Sequence, residues 1–304
     1  MEYSKPTERV LISFDYALKR LLRNKANYEI LEGFLSELLM RDIIVKNIGE
    51  SESNKEHAGD KYNRVDVLVE DEDGEILLIE LQFSIEMDFL QRMLFGTSKA
   101  LTERMLQGDE YLEVKKIYSI NIVYFDLGQG EDYVYHGKTH FKGLHCNDEL
   151  RLSKAQRNTF GKEMAGDLYP EYYILKINNF NDAAKDTLDE WIYFLKHNAV
   201  RDDFTAKGLD KAREVLDREK LTIEERRAYE YVLNQRSHDV SMIASSKLEG
   251  RIEGLEEGRI EREKLAKDVE RLAKDLEKER EEREKEREEL EAALAELRRL
   301  KGKN

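Results

Sequence analysis

A chain of 304 residues with 40% apolar and 38% charged side chains has enough apolar material for a packed domain. It carries more charge than one ordinary domain does, so a charge-dense segment beside a globular part is expected. Its single cysteine, Cys146, excludes an intrachain disulfide. The opening MEYSKPTERVLISFDYALKR has no apolar leader core, and no apolar run reaches membrane-spanning length, so a soluble, cytoplasmic protein is expected. The net charge of −14 argues against a simple nucleic-acid binder, which needs a basic patch. From Lys247 to Asn304 there are 17 basic and 19 acidic side chains, a balance of −2, which leaves −12 for residues 1–246. A nucleic-acid substrate would therefore need a local basic groove or divalent cations to offset repulsion.

The first element expected is a helix over Asn27–Met40, where Ile30, Leu31, Phe34, Leu35, Leu38 and Leu39 recur at helical spacing. IIVKNI (43–48) reads as a strand. RVDVLVE (64–70) alternates, with Val65, Val67 and Val69 on one face, and EILLIELQ (75–82) is a strongly apolar strand. Residues 88–107 return to helical character, and KIYSINIVYF (116–125) has the β-branched and aromatic content of a buried strand. DYVYHGKTHF (132–141) and YYILKINNF (172–180) read as further strands. Residues 182–197, with the only tryptophan, Trp191, read as a helix.

From about Thr205 the chain becomes helical and charged, and Thr222 and Glu225 have capping-box spacing. Gly250, Gly254 and Gly258 are expected to bend or fray the helix that follows, at about 1 kcal/mol each. Beyond them Leu265, Val269, Leu272 and Leu276 form a heptad seam. It resumes in phase at Leu290, Ala293, Leu297 and Leu300 after a polar gap at Glu279, Arg283 and Glu286.

The chemistry sits in the hairpin. A three-residue loop, Glu72-Asp73-Gly74, with Gly74 left-handed, pairs position 71 with 75, and the same register pairs 68 with 78 and 66 with 80. Alternation then sends Asp66, Glu80 and Gln82 to one face, with Leu68 and Leu78. Two carboxylates opposed across a ladder, about 5 Å apart at Cβ, suit a hard cation such as Mg²⁺ or Mn²⁺. They also suit a merely solvated sheet face, and the pattern alone leaves both readings open. The apolar neighbours favour the first, because acids among leucines are costly unless something binds them. The six histidines show no metal-ligand spacing, and CxxC, P-loop and nucleophile-elbow motifs are absent from the sequence.

The stretch SESNKEHAGDKYNRVDVLVEDEDGEILLIELQ resembles the recombination-promoting nuclease (Rpn) and transposase family, a branch of the PD-(D/E)XK superfamily. FDYALKRLL upstream and QRMLFGTSKALTERMLQGDEYLEVKKIYSINIVYF downstream share the resemblance, which covers residues 14–125 and continues less sharply to about 200. It implies an α/β, restriction-endonuclease-like core in the order αβββαβ, with a mixed sheet flanked by helices and, here, a C-terminal helical or coiled-coil tail. The domains expected are a nuclease core over 1–200, a helical extension over 201–246 and a charged tail over 247–304.

The resemblance makes Asp66 the first acid of the active site and Glu80 the acid of an E-x-Q element. Gln82 then stands where many relatives carry Lys. It implies Mg²⁺ (or Mn²⁺) held by Asp66, Glu80 and the carbonyl of Leu81. Glu52 is the candidate further acid, with Glu50 and Glu37 as rivals. Lys61, Arg64 and Arg92 lie near enough in sequence to contact phosphate, and each is equally well read as a surface residue. Asp15 and Lys19 match the family pattern as braces of the site. The expected activity is metal-dependent DNA endonuclease action linked to recombination or transposition, with homodimerisation through the tail. The acidic body and the long tail support a different class, an interaction protein with an idle nuclease fold, and an RNA substrate fits the same residues.

Overall fold

The computed structural model describes residues 11–20, 22, 24–49, 66–104 and 110–301. The chain divides into two compact units, Met1–Val232 and Leu233–Asn304. In the first unit, α1 (Phe14–Arg20) and α2 (Tyr28–Leu39) precede β1 (Val45–Gly49), β2 (Val67–Asp71) and β3 (Ile76–Gln82). Then follow α3 (Phe89–Glu103), β4 (Ile117–Val123), β5 (Val134–Gly137), α4 (Lys154–Phe160), β6 (Glu171–Lys176), α5 (Thr187–His197) and α6 (Leu209–Val215). A last helix, α7, runs from Ile223 to Lys301. The six strands form one mixed sheet in the order β1-β2-β3-β4-β6-β5, and β3, β4 and β6 are parallel at its centre. This is the α/β nuclease-like architecture with a helical tail that the sequence implied.

The hairpin has the expected register over Val67–Glu70, with Leu68 opposite Leu78, and its ladder ends at Val67 and Ile79, short of the expected pair 66 and 80. Asp71 N–H donates to Glu75 O at 3.1 Å and Gly74 N–H to Asp71 O at 3.0 Å, with Gly74 at φ 74°. That φ is the left-handed conformation glycine adopts without Cβ strain. The turn is pinned from outside by Arg41, which is ion-paired with Asp71 and Glu75, and by Lys162, 2.8 Å from Glu75.

Both faces of the sheet are covered, which is why β3 and β4 read as near-continuous apolar runs. On one face α3 packs over Ile76, Leu78 and Ile117 through Ala100, and over Val123 and Phe125 through Phe89 and Met93. The other core group joins α1, α2 and α5. Phe14 meets Phe34 at 5.5 Å and Trp191 at 6.2 Å between ring centroids, and all three are fully buried. Trp191 Nε1 donates to Lys207 O at 3.2 Å, so the one polar atom of that ring is satisfied. At Gly33 a Cβ would come within 2.1 Å of Lys207 O, so α2 can approach the segment before α6 only without a side chain there.

Several elements depart from the expected spans. The strand expected over 132–141 pairs only over Val134–Gly137, because Lys138 turns to Asp167 at 2.6 Å and Gly166 packs on the backbone of Thr139. The strand expected to Phe180 ends at Lys176 and closes in a single 3-10 turn, where Asn178 donates to Tyr124 O at 2.6 Å. The helix expected from residue 182 starts at Thr187, capped by Asp186, which accepts from Asp189 N–H at 2.9 Å. Two short helices, α1 and α4, were not expected as such. The capping box of α4, Ser153 with Gln156, was readable but had no apolar period behind it.

The capping box at Thr222 is formed, with Glu225 N–H donating to Thr222 Oγ1 at 3.2 Å. The fray expected at the three glycines is corrected: α7 is helical through Gly250, Gly254 and Gly258. Strong helix formers surround each glycine, and Arg259 pairs with Glu256 at 3.4 Å across the last of them. Among the described residues no helix is long and apolar enough to cross a membrane.

Candidate active site

Glu80 and Gln82 project from the last turns of β3 onto the face that α3 covers. Glu80 is 7% exposed at the centre of the sheet, between β2 and β4. Burial raises its carboxyl from the ordinary 4.5 to about 7. Arg92 opposes the rise, and the negative charges of Asp66 and Glu86 add to it. Arg92, one turn into α3, is ion-paired with Glu80 and lies 2.6 Å from Glu86. Its remaining Nη2 contact is Gln82 Oε1 at 3.2 Å. The amide of Gln82 is oriented from the other end as well, donating to Glu86 Oε1 at 2.8 Å and to Ser84 O at 3.1 Å. Next to this group a small cavity between α3 and the sheet is lined by Glu80, Arg92, Thr97, Ser119 and Asn121.

Asp66 lies one residue before β2, at the open end of the hairpin. Its Oδ2 accepts from Leu81 N–H at 2.8 Å, and its Oδ1 meets Lys19 of α1 at 3.1 Å. Lys19 in turn holds Asp15 at 2.9 Å, one helical turn back. The side chain of Asp66 thus caps the edge of β3 rather than projecting freely beside Glu80. Its charge is still close enough to act on the Glu80 carboxyl. N–H and C=O of one strand residue point the same way, so the carbonyl of Leu81 turns toward Asp66 too.

The structure therefore brings together Asp66, Glu80, Leu81, Gln82 and Arg92, with Asp15 and Lys19 as supports. Glu52, Glu50, Lys61 and Arg64 lie outside the described residues. Glu37 accepts from Thr187 of α5 at 2.5 Å and takes no part in the group around Glu80. Glu86 was missed by sequence reasoning. It sits in the loop between β3 and α3, where only its four-residue distance from Gln82 and six-residue distance from Arg92 signal it. Among the described residues no three His, Cys, Asp or Glu side chains gather as a ready metal cluster. The donors present are two carboxylates and a main-chain carbonyl, hard oxygens that suit a cation retaining several waters.

A mixed sheet with two acids and a glutamine at the exit of its central hairpin defines a PD-(D/E)XK type of nuclease fold. The model of the PD-(D/E)XK nuclease family transposases matches residues 12–246, and the chain belongs to that family. No curated protein and no solved structure matches the chain.

Proposed function

We propose that this family member is a metal-dependent DNA endonuclease acting in recombination or transposition. The observation that carries the reading is the pair Asp66 and Glu80, one of them buried and raised to about 7, each already countered by a side-chain cation from a different helix. A buried acid that a cation must neutralise has the chemistry of a metal ligand. Asp66, Glu80 and the carbonyl of Leu81 would hold Mg²⁺ (or Mn²⁺), with Glu52 as the further acid. When bound there, a dication would lower the pKa of a water and offset charge on the phosphate.

The chain's own groups do the rest. Gln82, fixed by Glu86 and Ser84, presents a neutral amide that orients by hydrogen bonds where a lysine would bring charge. Arg92, freed from Glu80, contacts phosphate together with Lys61 and Arg64. Lys19 and Asp15 keep Asp66 in place. The work is that of a cytoplasmic protein whose C-terminal helix joins two copies, so that two sites meet one duplex.

The net charge of −14 favours a second reading, an interaction protein with an idle nuclease fold. One experiment separates them. Purified protein is incubated with supercoiled plasmid, single-stranded DNA and RNA, with Mg²⁺, Mn²⁺ or EDTA, beside Asp66→Ala. Metal-dependent DNA cleavage lost in the variant is expected. Preferential RNA cleavage would move the substrate to RNA, and no cleavage with either metal would leave the idle fold.

A further inference from the structure

In the second unit, Leu233–Asn304, the described residues, which end at Lys301, belong to α7. It carries an apolar stripe open to solvent: Leu265 is 64% exposed, Val269 59%, Leu272 58%, Leu276 61% and Leu290 63%. In heptad terms Val269, Leu276 and Leu290 occupy a, and Leu265, Leu272 and Ala293 occupy d. One heptad, Val269 at a with Leu272 at d, has the β-branched a and Leu d pairing that suits two strands.

The apolar seam residues fit either orientation of two chains, whereas the charged gap at Glu279, Arg283 and Glu286 meets like charge in the parallel one. In a parallel pair each seam residue meets its own copy. In an antiparallel pair Arg283 meets Glu286, and Leu276 meets Ala293, which also matches apolar with apolar. The flanking positions decide. The g positions are Asp268, Asp275, Glu282 and Glu289, all acidic, and the charged e positions are Arg280 and Arg287, both basic. A parallel, in-register pair sets g of one heptad against e of the partner's next heptad. That joins Asp275 to the partner's Arg280, and Glu282 to the partner's Arg287, twice over by symmetry.

An antiparallel pair instead sets g against g and e against e. Glu282 then faces the partner's Glu289, and Arg280 faces the partner's Arg287, both repulsive. Asp275, Arg280 and Glu282 form no ion pair with any described residue of their own chain, and Arg287 has a longer one, 3.5 Å to Glu291. In the polar gap, by contrast, Arg283 is already matched within the helix by Glu279 at 2.7 Å.

We infer that α7 from Arg262 to Leu294 pairs with one second copy of this chain as a parallel, in-register coiled coil, its orientation set by Asp275–Arg280 and Glu282–Arg287 pairs between chains. The inference rests on the reading above that the tail joins two copies, and adds to it the orientation, the register and the residues that fix them.

The test uses the full chain without metal or nucleic acid, so that an inactive site leaves it untouched and a failed pairing leaves the nuclease reading untouched. Light scattering of the wild type at tens of micromolar is expected to give twice the 35.8 kDa chain mass. Arg280→Glu with Arg287→Glu halves the apparent mass, as does Asp275→Lys with Glu282→Lys, and an equimolar mixture of the two variants restores the dimer. In a Cys146→Ser background, needed because Cys146 is exposed, Leu276→Cys cross-links to itself on mild oxidation. A monomeric wild type, a trimer or tetramer, or charge variants that stay dimeric alone would each overturn the inference. So would a disulfide formed preferentially between Leu276→Cys and Ala293→Cys chains, the antiparallel signature.

Discussion

Replacing Glu80 with glutamine removes its charge and keeps its shape, and the consequence can be worked out from the site. In the metal-free protein burial holds the Glu80 carboxyl at about 7 against an ordinary 4.5, even with Arg92 beside it. The folded protein therefore binds this proton more tightly than the unfolded chain does. Stability from this group is fully present below about pH 4.5 and is lost as pH rises toward 7 and beyond. At about 1.4 kcal/mol per tenfold change in proton affinity, the interval amounts to about 3 kcal/mol.

Glutamine cannot ionise, so Glu80→Gln escapes that loss. The two proteins are expected to lie within about 1 kcal/mol of each other near pH 5, with the variant ahead by up to about 3 kcal/mol near pH 8. Weakening of the contact to Arg92 subtracts from the gain, but Glu86 remains 2.6 Å from the guanidinium. Urea unfolding in EDTA across this range measures the gap. Added Mg²⁺ then stabilises the wild type at the higher pH and not the variant, because only a ligand for the folded state raises stability. A gap independent of pH would refute the ionisation argument, and equal stabilisation of both proteins by Mg²⁺ would remove Glu80 from the ligand set.

Asp66→Ala is expected to abolish metal-dependent cleavage while cooperative unfolding is kept, and cleavage at the wild-type rate would place the site elsewhere. Gln82→Leu, which loses the hydrogen bonds to Glu86 and Ser84, is expected to lose most cleavage, and Gln82→Lys to retain part of it. Full activity in the leucine variant would leave Gln82 without a role. Gly33→Ala forces a Cβ to within 2.1 Å of Lys207 O and is expected to cost about 1–3 kcal/mol, the usual range for overpacking. An unchanged urea midpoint would show that α2 yields freely at that point.

The hairpin and the central strands were legible because local rules determine them. Gly74 allows one turn geometry, that turn fixes the register, and the period of two then fixes the faces of Leu68 and Leu78. The elements that went unread or misjudged in extent lack such a local determinant. Helix α1 has seven residues, and its identity comes from packing Phe14 against Phe34 and Trp191 far along the chain. The end of β5 is decided by Lys138 reaching Asp167, a contact twenty-nine positions away that no window of sequence contains.

The site divides along the same line. The shared face of Glu80 and Gln82 follows from the hairpin register and the period of two along β3. The orientation of Asp66 does not follow from it. Ladder pairing stops at Val67, and past that end the side chain is free to take the Leu81 N–H and the Lys19 ammonium. Nor does the role of Arg92 follow, because a basic residue on a helix reads as surface until the helix is laid across the sheet. Once α3 covers β3, Arg92 is the cation paired with the buried Glu80. Glu86 is drawn in by the same guanidinium, and Gln82 is oriented between them. The acids were set by secondary structure and the cations by tertiary packing. Among the described residues of this site, the charge balance around Asp66 and Glu80 therefore rests on Lys19 and Arg92, contributed by two helices that the hairpin register does not position.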